Sequence, residues 1–352
     1  MQPLLRNTRA TETGASVVSG QLVDRAGPRP LWWTLSIIWL VILAGGPIAL
    51  RQEPFTVAIG AALVAGAIEA SLYAATGFER AREWVRRLPH RGVWITASGL
   101  PAYLIYSAGA GTFHWKSFVV LVVAGTVVGL WFEWLPNNAW TDAGFLALMA
   151  CGLLTELAVL LYPPLSAKLK TDYIGRILWL RLGYWAVLAV RERGRGSDYG
   201  FGFVPRRKDW VIGLRYSLYC IVVAAGVLAL VQPMRLKDHL SWGLTPWVAL
   251  GTFAGFLWVV ALSEELFTRG ILQGNLTRVL GSEWAGVIVT SGLFGLAHLT
   301  YSHEFPNWRM VTLAGVLGLF CGRAAQVAGG IRASMVTHAL VVTVFRVFLT
   351  KR

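Results

Sequence analysis

Apolar residues come in long runs along this chain, separated by short segments rich in arginine, glycine or proline. An α-helix needs roughly 18–20 apolar residues to cross the hydrocarbon core of a bilayer. Runs of that kind lie at 32–50, 55–76, 93–112, 117–135, 140–162, 174–190, 210–231, 245–277, 285–303, 308–326 and 331–349. The pattern predicts an all-α polytopic membrane protein with about eleven transmembrane helices. The weakest signals are 308–326 and 174–190, which carries Arg176 and Arg181.

The polar segments divide the chain. Residues 1–30 are polar, with Arg6, Arg9, Arg25 and Arg29, and lack the pattern of a signal peptide. They are expected to form a disordered cytoplasmic tail. Residues 31–190 form an N-terminal transmembrane subdomain. Residues 191–209 are basic and glycine-rich and end in Phe201-Gly-Phe-Val-Pro205-Arg-Arg-Lys-Asp-Trp210. Proline and glycine there prevent a continuous helix, and tryptophan beside basic residues reads as an interfacial linker. Residues 210–352 form a second helical unit. No internal repeat is visible.

Composition supports this reading. The 352 residues are 55% hydrophobic and 14% charged, which leaves no room for a large soluble domain. The net charge of +14 would suggest nucleic acid in a soluble protein. Here the basic residues sit in short loops, so they set topology and meet anionic lipid instead. The loop 77–92 holds Arg80, Arg82, Arg86, Arg87 and Arg91, and 191–209 is similarly basic. Loops between them are poor in charge, which places the N-terminus inside; eleven spans would then leave the C-terminus outside. Cys151, Cys220 and Cys321 lie in apolar segments without a CxxC spacing and read as small core residues.

One apolar run contains a charge cluster, Ser263-Glu264-Glu265-Leu266-Phe267-Thr268-Arg269-Gly270. A charge at the centre of a membrane helix costs about 2.5–3.5 kcal/mol, so three uncompensated ones cost on the order of 8–10 kcal/mol. Such a cluster is either a buried helix lock or a functional site. Glu265 and Arg269 are four residues apart on one helix face, in the favourable acid-first order. Glu264 projects about 100° away from Glu265. One acid is thus expected to be held by Arg269, and the other to face a cavity as a general base.

Two histidines follow within spans. Phe294 and His298 share a face of the next segment, where Gly292 and Gly295 allow close helix approach. His338 lies in the last segment. From the span ends, Glu264, His298 and His338 fall roughly 10–20 Å below the cytoplasmic boundary and can line one inward-opening cavity. A lone membrane histidine is usually a packing residue; two beside a Glu-Glu-x-x-x-Arg helix favour chemistry. The scattered acids Glu69, Glu133, Asp142 and Glu156 read as interhelical hydrogen-bond partners or interfacial residues, with a proton relay as the other possibility.

Glu264-Glu265-x-x-x-Arg269, Phe294-x-x-x-His298 and His338 resemble the motifs of the CPBP family of glutamic-type intramembrane proteases. That family includes type II CAAX prenyl proteases and bacteriocin-processing relatives. The resemblance covers roughly residues 200–350 and makes 210–352 a CPBP-like protease core. Phe305-Pro-Asn-Trp-Arg309 is similar to bacterial members, which implies a bacterial inner membrane. The resemblance implies an intramembrane endopeptidase. Glu264 would activate water. His298 would orient that water or stabilise the oxyanion, and His338 would share the work. Glu265, Arg269 and Phe294 would support the site.

The resemblance implies a glutamate mechanism without metal, and no His-Glu-x-x-His helix is present; zinc on one glutamate and two histidines is the alternative. The expected partners are a peptide or protein substrate and the lipid bilayer, without nucleic acid. The substrate could be a prenylated C-terminal tail, a bacteriocin leader or a C-terminal sorting signal. One departure stands out. The family's last motif usually continues as His-x-x-x-Asn or His-x-x-x-Asp, and here the fourth residue after His338 is Val342. That departure raises the alternative of a catalytically impaired, protease-like scaffold, chaperone or immunity protein. A transporter is a third reading, from the span count and the scattered acids.

Overall fold

The computed structural model of the chain describes residues 29–49, 54–136, 138–166, 169–191, 199–231, 234–237, 243–301 and 304–351. The expected tail lies outside these residues apart from Arg29 and Pro30, and so does the stretch 192–198.

The N-terminal half comprises α1 (Arg29–Ala49), α2 (Val57–Ala75), α3 (Glu79–Arg87), α4 (Arg91–Ala97), α5 (Leu100–Ala110), α6 (Trp115–Trp134), α7 (Ala139–Leu154), α8 (Leu157–Leu161) and α9 (Asp172–Arg191). The C-terminal half comprises α10 (Arg207–Val231), α11 (Thr245–Leu280), α12 (Glu283–Leu296), α13 (Trp308–Ala328) and α14 (Ile331–Phe348). A short strand β1 (Met234–Leu236) pairs antiparallel with β2 (Leu349–Lys351), with Met234 opposite Lys351. The protein is an all-α polytopic membrane protein.

Among the described residues, eight helices are long and apolar enough to cross a membrane: α1, α2, α6, α9, α10, α11, α13 and α14. Helices α7 and α12 are apolar but shorter. The remaining candidate, 93–112, is broken. Helix α4 stops at Ala97, and α5 restarts after Gly99 with Pro101 in its first turn, the place where a missing N–H costs nothing. The candidate 140–162 also breaks, at Thr155 and Glu156, between α7 and α8.

Helix α9, one of the weakest expectations, is among the most buried elements. Its arginine explains both facts. Arg181 is fully buried and ion-pairs Glu69 on α2, with Nη2 3.0 Å from Oε1. Its Nη1 also donates to Ser98 Oγ at 2.8 Å, and Nη2 to the Ser98 carbonyl at 2.9 Å. A charge so paired lowers apolarity in the sequence without being exposed to lipid. Asp142 is likewise paired: Arg191 Nε and Nη2 donate to it at 2.7 and 2.6 Å, and Asn275 Nδ2 at 2.7 Å. That last bond ties α7 to α11.

The described part of 191–209 is mixed: Val204, Arg206, Arg207 and Lys208 are exposed, while its first residues pack against both halves. Phe201 is fully buried. Ile331 N donates to the Tyr199 carbonyl at 2.9 Å, and Trp258 Nε1 to the Phe203 carbonyl at 2.8 Å. Gly200, at φ +60°, lies so close to Gly330 that a Cβ would come within 2.6 Å of its Cα. Phe201 and Phe203 insert between helices here, stacking near Tyr184 and Tyr73. One buried apolar cluster consequently extends from Ala62 to Ala339, across both halves.

In the C-terminal half, α12 packs along α13, and α10 along α13 and α14. Gly295 permits the α12–α13 crossing, since a Cβ there would fall 2.6 Å from the Val311 carbonyl oxygen. Gly292, expected to share this role, is exposed and meets nothing within 4 Å. These four helices surround α11 and bring its charge cluster to the histidines.

Candidate active site

The two acids of the charge cluster occupy a short α-helical turn, Leu262–Glu265, within α11, and Arg269 follows in the next segment. The flanking segments Phe256–Ala261 and Leu266–Gln273 are π-helical. Widened turns of this kind shift the facing of the residues that follow and are frequent at functional sites.

The two adjacent glutamates occupy different environments. The Glu265 side chain is fully enclosed, whereas that of Glu264 keeps 34% of its surface open. Arg269 holds Glu265, with Nε 3.2 Å from Oε2 and Nη1 3.2 Å from Oε1. Its Nη2 donates to the Gly318 carbonyl on α13 at 3.1 Å. Gly318 is also a close contact of α13 with α12, because a Cβ there would press to 3.0 Å against Ser291. The Arg269 guanidinium also lies 4.7 Å from the Phe294 ring centroid, a cation–π contact. Thus Arg269 ties α11 to α12 and α13 as well as to Glu265.

His338, from α14, is buried and faces both acids. Its Nδ1 is 2.8 Å from Glu265 Oε1 and its Nε2 is 3.7 Å from Glu264 Oε2. An ionised carboxylate only accepts, so Nδ1 carries the hydrogen toward Glu265. In the neutral ring Nε2 is then the acceptor, aimed at Glu264.

His298 is half-buried at the end of α12. Its Nδ1 donates to the Phe294 carbonyl at 2.8 Å, which leaves Nε2 as the acceptor of the neutral ring. Phe294 joins the two histidines, with ring centroids 4.9 Å from His298 and 6.1 Å from His338. All six residues singled out in the sequence therefore converge, with His298 connected through Phe294.

Other groups reach the site without a sequence signal. The Tyr184 hydroxyl, on α9, lies near Ser263 and Glu264. Its ring lies 5.9 Å from Phe267. Cys321 on α13, expected as plain core, lies with Glu265 and His338 in a group whose potential ligand atoms are within 4.8 Å of one another. That group is a poor cation site. The Arg269 guanidinium already neutralises Glu265, and His338 Nδ1 points a hydrogen at the same carboxylate. Val342 packs against the apolar cluster of Cys220, Leu317, Cys321 and Val341.

Residues 245–344 match the family model for Type II CAAX prenyl endopeptidase Rce1-like. This stretch is a Rce1-like domain of the CPBP family. No curated protein and no solved structure matches the chain. The Rce1-like domain begins with α11 and ends within α14, so it contains Glu264, Glu265, Arg269, Phe294, His298 and His338. Helix α10 and the whole N-terminal half lie outside it, yet Tyr184 and Asp142 from that half contact α11. The chain is an integral membrane protein carrying a CAAX-protease-type peptidase domain.

Proposed function

We propose that the protein is an intramembrane endopeptidase in which Glu264 activates water. One observation carries the reading: the neighbouring acids are separated into a locked one, Glu265, and a partly open one, Glu264, that faces His338 Nε2 at 3.7 Å. A helix lock would enclose both.

In this reading Glu264 takes a proton from water as the oxygen attacks the scissile carbonyl. His298 Nε2 accepts a hydrogen bond from the same water and orients it. The proton taken by Glu264 is shared with His338 Nε2, and the resulting imidazolium is stabilised by Glu265 through Nδ1–H. The logic is that of a base whose partner is oriented by a buried carboxylate. The proton then passes to the leaving amine, giving one new carboxylate and one new amine. Glu265, Arg269 and Phe294 hold the geometry. The mechanism uses no metal ion, and activity is expected to survive chelation; zinc held by Glu264, His298 and His338 is the alternative, and loss on chelation with rescue by zinc would favour it.

The substrate is a membrane-associated peptide or a C-terminal tail. A groove of about 420 Å³ supports this, lined by Gly251, Thr252, Phe256 and Val260 of α11 together with Lys237 and Arg346. Val260 is one turn before Glu264. Arg346 donates to the Tyr301 hydroxyl at 2.6 Å, and Tyr301 stacks beside His298. A peptide in the groove would lie next to both catalytic groups. The location proposed is a bacterial inner membrane, with the N-terminus cytoplasmic. The chain's division at 191–209 is retained as a proposal about folding units, with 31–190 as a substrate-recognition subdomain.

The test compares membrane-protein termini in cells carrying the wild type, Glu264→Gln or His298→Ala, at equal protein accumulation. Both variants should lose the same new termini; full processing by either would sink the assignment. Val342 supports a second reading, a non-catalytic scaffold on the same fold. If the wild type processes nothing and Val342→Asp restores cleavage, the chain has lost activity at that position.

A further inference from the structure

A second polar site lies outside the Rce1-like domain. A cavity of about 730 Å³ opens among α3, α4, α6 and the end of α9. Its polar lining includes Arg86, Arg87, Arg91, His90 and Arg191, against the single carboxylate of Glu133. Its apolar lining includes Leu88, Phe132 and Val190.

The arginines are fixed from behind. Arg86 donates to Glu79 and to the Leu188 carbonyl, and Arg191 is clamped by Asp142. Two of them keep hydrogen-bonding capacity. Arg87 approaches Glu83 only to 3.9 Å and its side chain is 82% exposed. Arg191 is buried, and its Nη1 has no hydrogen-bond partner among the described residues. A guanidinium carries five N–H donors in a fork that suits phosphate oxygens.

The cavity's surroundings indicate where the phosphate comes from. Trp84 on α3, Trp94 on α4 and Trp134 at the end of α6 are all exposed. Tryptophans on a membrane protein collect at the headgroup level. The cavity is therefore at the depth where lipid phosphates sit, and Leu88, Phe132 and Val190 offer an apolar wall for the start of an acyl chain. We infer that this cavity binds the phosphate of an anionic phospholipid.

The experiment uses the full-length purified protein. Retention of phosphatidylglycerol and phosphatidylcholine is measured by native mass spectrometry at constant ionic strength, with and without inorganic phosphate. The wild type should retain phosphatidylglycerol preferentially. Arg87→Gln and Arg91→Gln should each weaken retention about tenfold, the loss of one charge-assisted hydrogen bond. Arg191→Lys keeps a charge for Asp142 and should weaken retention too. Arg87 is exposed enough that its replacement leaves folding intact, which thermal unfolding checks. Retention unaffected by inorganic phosphate supports a lipid site; displacement by inorganic phosphate overturns the lipid assignment in favour of a free phosphate. Equal retention of both lipids, or an Arg87→Gln/Arg91→Gln protein indistinguishable from wild type, overturns the site itself.

Discussion

His338 and Glu265 are joined at 2.8 Å through Nδ1 and Oε1, although 73 positions separate them in sequence. The contact fixes the ring so that its other nitrogen meets Glu264. Glu265→Gln removes charge from a carboxylate that touches no substrate in the proposed reaction. It should lower kcat about 10²-fold through misplacement of His338, with little change in KM. Steady-state cleavage in membranes checks the split; a change confined to KM would place Glu265 at the substrate instead.

Arg181 and Glu69 form a fully enclosed ion pair between α9 and α2. Breaking such a pair from one side costs about 3–5 kcal/mol, because the other charge is left buried and alone. Arg181→Met alone should therefore lower the unfolding temperature in detergent sharply. The double variant Glu69→Leu/Arg181→Met should recover most of the loss, as apolar replacements of both partners are often neutral.

Gly295 is a close contact of α12 with α13, and His298 follows two residues after the end of α12. Gly295→Val should cost about 1–3 kcal/mol in overpacking. It should also reduce cleavage, since it displaces His298. In contrast, Gly292→Ala should be silent in both unfolding and cleavage assays, because position 292 is open.

Glu79 lies outside the spanning helices and ion-pairs with Arg82 and with Arg86, the latter a residue of the arginine cavity. Burial alone would raise its carboxyl, but Arg82 and Arg86 outweigh it and hold the group below its ordinary value of 4.5. A depressed folded value means the stabilisation is complete above the ordinary value. It is lost as pH falls through the folded one. Unfolding temperature should thus drop on acidification below about pH 4.5 more steeply in wild type than in Glu79→Gln. Parallel curves for the two proteins would remove Glu79 from this role.

The sequence by itself determined the fold class and the six residues of the candidate site. Long apolar runs have one stable form in a bilayer, because every backbone N–H and C=O must be satisfied within the segment. Charge inside such a run is costly enough that Glu264, Glu265 and Arg269 mark themselves without any partner in view. The i,i+4 relation of Glu265 to Arg269 is local, so it too was legible, and the structure reproduces it.

What tertiary structure decided was every relation between helices. Arg181 made α9 look weak as a span until Glu69, over a hundred residues away, was seen beside it. The inward packing of Phe201 depends on which neighbours are available. His338 pairing with Glu265 as well as facing Glu264, Tyr184 reaching Ser263, and Cys321 joining the site follow from the packing of α9, α13 and α14 around α11. No periodicity within one helix encodes such contacts, since hydrogen bonds and ion pairs across helices depend on distances that only the assembled bundle sets.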